Sequence, residues 1–156
     1  MLTSSKINML SSILGNDTVV IEGMKDKEAL SKFGITNLVE ISGKSLLDVV
    51  DFLVGKNITN VTILTDFDED GENQQSQLNQ YLSYHGIKVN SFARRKVKTL
   101  FRIHKIEELS HFTKFMEDDY TGKASSVYDK IFNRSRIHSR WRGGKAGRYR
   151  GDIRTN

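Results

Sequence analysis

The chain has no cysteine. Disulfides and thiolate metal sites are therefore excluded, and the composition fits a reducing compartment, so a cytoplasmic location is expected. The four histidines, His85, His104, His111 and His138, show no ligand spacing and read as ordinary surface or interface residues. No apolar run approaches the roughly 20 residues that cross a bilayer, so no membrane partner is expected. Residues 1–15 carry Lys6 but no sustained apolar stretch and do not read as a signal peptide.

What is present is charge, unevenly placed. From Tyr120 onward ten Lys/Arg face only Asp129 and Asp152, a net +8, whereas the rest of the chain holds 14 basic and 17 acidic residues, a net −3. A near-neutral body with a cationic tail predicts a polyanionic partner. In that tail Arg134, Arg136, Arg140, Trp141, Arg142, Arg148, Tyr149 and Arg150 interleave cations with aromatics. Cations neutralise phosphates and release counterions, and aromatic rings stack on unpaired bases. Arg-Gly segments of this kind commonly order on binding RNA, which favours RNA over DNA as the nucleic-acid partner. The competing readings are a solvated tail, or one that docks on a second copy of the chain, as a homodimer or within a larger nucleoprotein complex. Arg94 and Arg95, in a basic segment with Lys96, Lys98, Arg102 and Lys105, either extend the nucleic-acid surface or cover the sheet edge.

Residues 18–21, 37–41, 61–65 and 87–92 read as strands. Helices are expected within 1–15 (apolar Ile7, Leu10, Ile13, Leu14), over 26–33 with Asp26 as cap, over 45–55 with Ser45 as cap, over 72–85, and over 107–116. Strands alternating with helices predict βαβ units and a parallel sheet, with sites at the carboxyl ends of the strands. The length fits one domain, read as a body over 1–119 and a basic, flexible arm over 120–156.

The stretch that organises this body is Thr65-Asp66-Phe67-Asp68-Glu69-Asp70-Gly71-Glu72. In extended chain, residues i and i+2 share a side, so Asp66 and Asp68 aim together while Phe67 faces the packing. Two converging carboxylates do not both ionise cheaply without a cation. Hard oxygen ligands select Mg²⁺ or Mn²⁺ over zinc. A solvated acidic turn is the bland alternative. A calcium loop is the other, but Gln77 stands where its bidentate Glu belongs, and a strand rather than a helix precedes it. A catalytic metal site needs a third carboxylate, and Glu22, just past the first strand, is placed to supply it.

Taken together, Glu22-Gly23, Asp26 and the Asp66–Glu72 stretch resemble the Toprim domain, which is shared by type IA and type II topoisomerases, bacterial primases and the nuclease that matures 5S ribosomal RNA. Thr65 to Glu72 looks like the T-D-P-D-R-E-G-E of type IA enzymes, with Phe67 for Pro, Glu69 for Arg and Asp70 for Glu. The small size and the Ile-Glu-Glu-Leu segment look like the archaeal small Toprim proteins grouped with the 5S nuclease. The resemblance covers residues 19–92. It implies an α/β, Rossmann-like Toprim fold, a mostly parallel four-stranded sheet flanked by helices, with the basic segment as a C-terminal extension.

The resemblance also assigns roles. Glu22 matches the glutamate that binds metal or acts as general acid/base, and Asp66 and Asp68 match the D-x-D ligands; these three are the candidate catalytic residues. Asp70 joins the candidate metal set from behind, at a position where other members vary. Asp26 matches an acidic position near the site, or is only a helix cap. Lys25 touches a phosphate, or is only solvated. Glu69 in place of Arg, and the lack of room for gate and tyrosine domains, argue against topoisomerase-like strand passage; the lack of cysteine argues against a primase-type zinc module. The expected function is Mg²⁺-dependent action on nucleic-acid phosphodiesters, foremost a nuclease of structured RNA. The alternatives are a non-catalytic RNA- or DNA-binding module in a larger complex and a primase-like nucleotidyl transferase.

Overall fold

Val19, Val20 and Ile21 are consecutive and wholly buried, the pattern of a parallel strand covered on both faces. They lie in β1 (Thr18–Ile21), and their alternation splits the interior in two. Val19 and Ile21 enter one hydrophobic cluster and Val20 the other. The computed structural model describes residues 2–114. The arm residues Arg134, Arg136, Arg140, Trp141, Arg142, Arg148, Tyr149 and Arg150 lie outside them.

Around β1 stand α1 (Leu2–Leu14), α2 (Met24–Ser31), β2 (Leu38–Glu40), α3 (Leu46–Gly55), β3 (Asn60–Leu64), α4 (Glu69–Tyr84), β4 (Lys88–Val89), α5 (Ser91–Phe101) and a 3-10 turn at Ile106–Leu109. The sheet is wholly parallel in the order β2-β1-β3-β4, with Val20 level with Val39 on one side and Ile63 on the other. Leu10, Leu14, Leu30, Val97, Phe101, Ile106 and Leu109 place α1, α2, α5 and the 3-10 turn on one face. Val49, Val50, Leu53, Leu78 and Leu82 place α3 and α4 on the other.

The chain steps from β1 outward to β2 under α2, then back across β1 to β3 over α3, and on to β4 over α4. Reversing the step while changing faces is what right-handed crossovers require. The reversal lies between β1 and β3, and in such sheets the crevice at the carboxyl ends of those two strands is where ligands sit.

Ser45 caps α3 as expected, accepting the Asp48 amide at 3.1 Å. Elsewhere the boundaries move. Asp26 is not the cap of α2: Gly23 holds that position, and Asp26 lies inside the first turn, taking the Gly23 amide at 3.3 Å. The fourth strand shrinks to Lys88–Val89, because the Asn90 side chain accepts the Ala93 amide at 3.0 Å and opens α5 there. Helix α4 starts before Gly71, at Glu69, with Asp68 as its cap.

Leu53 is fully buried among Val49, Val50 and Leu82, on the face opposite α5. Leu53→Ala is expected to lower the unfolding free energy by about 2–5 kcal/mol, the range for truncating a core leucine, measured by urea denaturation.

Candidate functional site

Glu22 follows the last residue of β1, and Asp66 lies two residues beyond β3. Because the two strands are neighbours with Ile21 level with Leu64, residues 44 apart in the chain meet. The Asp66 amide donates to Glu22 Oε1 at 2.9 Å. Asp66 Oδ1 in turn accepts the Ile106 amide at 2.9 Å. Asp68 Oδ1 accepts the Gly71 amide at 2.8 Å and so caps α4. Asp26 Oδ2 holds the Gly23 amide. Glu22, Asp66 and Asp68 thus each have one oxygen on a backbone amide and a second with no protein donor among the described residues, whereas Asp26 is held by the amides of both Gly23 and Glu22.

The electrostatics follow from this crowding. Burial raises Glu22 above the ordinary carboxylate range; the Asp66 amide opposes the rise, the charges of Asp66 and Asp68 add to it, and the Arg94 cation opposes it. Burial likewise raises Asp26 to about 6, reinforced by the charges of Asp66 and Glu22. The rim therefore carries more negative charge than its surroundings neutralise.

The expected site residues separate into three groups. Glu22, Asp66, Asp68 and Asp26 come together. Asp70 is exposed in the first turn of α4. Lys25 is solvent-exposed and reaches Glu107 at 3.7 Å, a surface pair worth little energetically. Arg94 corrects the expectation of a nucleic-acid contact: it is 6 % exposed and its guanidinium points inward. Its Nη1 donates to the carbonyls of Ile63 (3.3 Å) and Thr65 (2.7 Å), and its Nη2 to the Asp66 carbonyl (3.1 Å) and Glu72 Oε1 (3.0 Å). The neighbouring Arg95, Lys96, Lys98, Arg102 and Lys105 are exposed, and among the described residues none is in an ion pair.

Charge had grouped Arg94 with Arg95, yet a helical signal separates them. Arg94 is spaced with Val97 and Phe101 on the apolar side of α5, and that face is buried. Two further supports carry no side-chain signature: the His104 carbonyl, which accepts the Phe67 amide at 2.8 Å, and the Ile106 amide. Phe67 itself is buried as expected, with the Arg94 guanidinium 4.6 Å and the Lys98 ammonium 5.4 Å from its ring centre.

The donor set suits a hard divalent cation, being all carboxylate oxygen with free lone pairs on the rim. Among the described residues no three acidic or imidazole side chains already stand close enough to hold one. The residues fit the ion by the chemistry of their donor set.

A family model for the Toprim domain matches residues 17–100. The chain belongs to the Toprim family. Toprim membership brings association with a divalent metal and with nucleic acid. Among relatives, the chain is similar to the UPF0292 protein of the archaeon Thermococcus sibiricus, 34% identical over 97 residues that span 60% of this chain and 75% of that one. The UPF0292 protein of Pyrococcus abyssi is 33% identical over 94 residues, 58% of this chain and 70% of that one. A solved structure of a protein from Aquifex aeolicus superposes with a TM-score of 0.59 at 37% identity, covering 67% of this chain and 95% of that one.

Inside the Toprim D-x-D turn, Gly71 passes so close to Asp66 that a Cβ would overlap the Asp66 carbonyl oxygen. Thr65 Oγ1 closes the turn on the Gly71 carbonyl at 2.7 Å. Gly71→Ala is expected to cost at least about 1–3 kcal/mol, because backbone rather than a flexible side chain has to give; urea unfolding measures it. Asp26 makes a pH prediction. Its folded-state pKa lies above its ordinary 3.8, so between about 4 and about 6 the native state holds the extra proton and stability falls as pH rises through that window. Asp26→Asn, with no proton to gain, is expected to be more stable than wild type at pH 7. Its advantage should shrink as pH falls to 4.5, with unfolding measured in EDTA.

Proposed function

We propose that the chain is a Mg²⁺- or Mn²⁺-dependent phosphodiesterase acting on nucleic acid, and specifically a nuclease of structured RNA. The observation that carries this reading is the meeting of Glu22, Asp66 and Asp68 at the sheet's switch point, each with one oxygen fixed by a backbone amide and the other free. Amides that fix one oxygen set the direction of its twin, which is how a rigid scaffold presents ligands. When bound, the divalent ion supplies neutralisation of phosphate charge.

Asp66 and Asp68 are the metal-holding pair in this reading, with Glu22 sharing the ion or carrying a proton on its free oxygen. Burial and neighbouring charge raise Glu22, which brings a carboxyl closer to the range useful for acid–base work. Asp26, more buried than Glu22, keeps the Gly23 turn beside them. Arg95, Lys96, Lys98, Arg102 and Lys105 form an exposed basic border along and beyond α5 that suits a phosphate backbone. The preference for RNA rests on the Arg-Gly and aromatic pattern of residues 120–156 and on the resemblance to the 5S maturation nuclease. The second reading, a binding module without catalysis of its own, draws on the same basic border and on the cationic pattern of residues 120–156.

Incubating the full chain with structured RNA, single-stranded DNA and duplex DNA, in Mg²⁺ or in EDTA, separates the two. The nuclease reading expects RNA cleavage that stops in EDTA and falls at least about 100-fold in Asp66→Asn and Asp68→Asn, as for loss of charge stabilisation at a reacting phosphate. Cleavage that persists in EDTA overturns it. Salt-sensitive RNA binding with no cleavage, unaffected by the two substitutions, establishes the binding module instead.

A further inference from the structure

Arg94 is the one strongly buried cation among the described residues, and the proposed chemistry makes no direct use of it. A guanidinium taken out of water costs several kcal/mol unless its N–H groups are matched. Here the two terminal nitrogens, with two N–H groups each, meet four acceptors, three of them main-chain carbonyls at the end of β3. No terminal N–H is left for a substrate. The Arg94 side chain works on the protein itself.

Its targets are two successive peptide planes. The first joins Thr65 to Asp66: its carbonyl accepts from Arg94 at 2.7 Å, and its N–H donates to Glu22 Oε1 at 2.9 Å. The second joins Asp66 to Phe67: its carbonyl accepts from Arg94 at 3.1 Å, and its N–H donates to the His104 carbonyl at 2.8 Å. These two planes flank the Asp66 Cα, so gripping both fixes its φ and ψ. The first also forms a relay in which a cation polarises an amide that then binds the Glu22 carboxylate, each bond strengthening the other. The guanidinium also lies over the ring of Phe67, 4.6 Å from its centre, and so contacts the residue between the two aspartates.

We infer that Arg94 is a positioning residue for the metal-binding turn, holding Asp66 and the Glu22 carboxylate in register through the two peptide planes that flank Asp66. The inference rests on the metal-site reading above for its functional meaning, though its geometry stands apart from it. Lysine, a single point of charge, does not span three carbonyls as the planar fork does. Charge alone therefore does not replace it.

The test uses the full chain carrying Arg94→Lys, Arg94→Met, or Leu53→Ala as a control that lowers stability on the opposite face. Mn²⁺ affinity is read by electron paramagnetic resonance, and amide hydrogen exchange by NMR in EDTA. Both Arg94 variants are expected to weaken Mn²⁺ binding by about tenfold or more, the usual effect of losing a group that orients a ligand, while Leu53→Ala binds as wild type. In EDTA, exchange at the Asp66 and Phe67 amides is expected to quicken in the Arg94 variants relative to the amides of β1. Unchanged exchange at these two amides in Arg94→Met overturns the inference, as does Mn²⁺ affinity that falls equally in Leu53→Ala. If wild type itself binds no Mn²⁺, the metal-site reading fails, while the exchange data still decide what Arg94 does. Should both Arg94 variants fail to fold, Glu72→Ala, which frees one Nη2 bond at the surface, replaces them: quickened Asp66 exchange supports the inference and unchanged exchange overturns it.

Discussion

The peptide unit between Thr65 and Asp66 is gripped at both ends, by a cation behind it and an anion in front. The rest of the site is arranged around that bond. It ties β1 to the turn after β3, so that the carboxylate of one strand end is held by the backbone of the other. It also brings a cation close to three crowded acidic groups. A buried positive charge lies a few bonds away, with its terminal N–H groups already matched, offsetting part of their repulsion without entering the rim. The turn is thus shaped by contacts within the protein, and the negative charge left over on the rim suits a divalent cation.

Much of the architecture was legible in the amino-acid sequence, for identifiable reasons. β1 and β3 announce themselves because a strand covered on both faces needs consecutive buried, mostly β-branched residues, and Val19-Val20-Ile21 and Val61-Thr62-Ile63-Leu64 supply them. α3 announces itself through Ser45, whose hydroxyl makes the capping bond its position suggests. The D-x-D pair and Glu22 were legible because few arrangements other than a shared rim suit that much acid at two strand ends. The fourth strand was over-read: Ile87 is buried and Val89 half-buried, but Phe92, which completes the apolar pattern, is mostly exposed on α5.

What escaped was whatever acts through main-chain atoms. The clasp on the turn by the His104 carbonyl and the Ile106 amide uses groups that every residue possesses, so no pattern of side chains marks it. Arg94 escaped for a different reason. Composition groups it with its charged neighbours, whereas period groups it with Val97 and Phe101, and period was the better guide. Asp26 shows the same lesson in reverse: an acid at a helix start looks like a cap, yet here Gly23 occupies the cap position and Asp26 folds back onto it from one turn further in.

Gly71 separates two kinds of requirement that sequence motifs usually run together. It is demanded by the clearance between α4 and the Asp66 carbonyl, a matter of shape that holds whether or not any ion or phosphate ever visits. The acids beside it have a double duty, since Asp68 also caps α4 and Glu22 also holds the Asp66 amide. A descendant that abandoned the chemistry could keep those bonds with neutral acceptors in place of the carboxylates, but it could not easily give up this glycine. The glycine is therefore testimony about the fold, and only the carboxylates are testimony about what the fold is for.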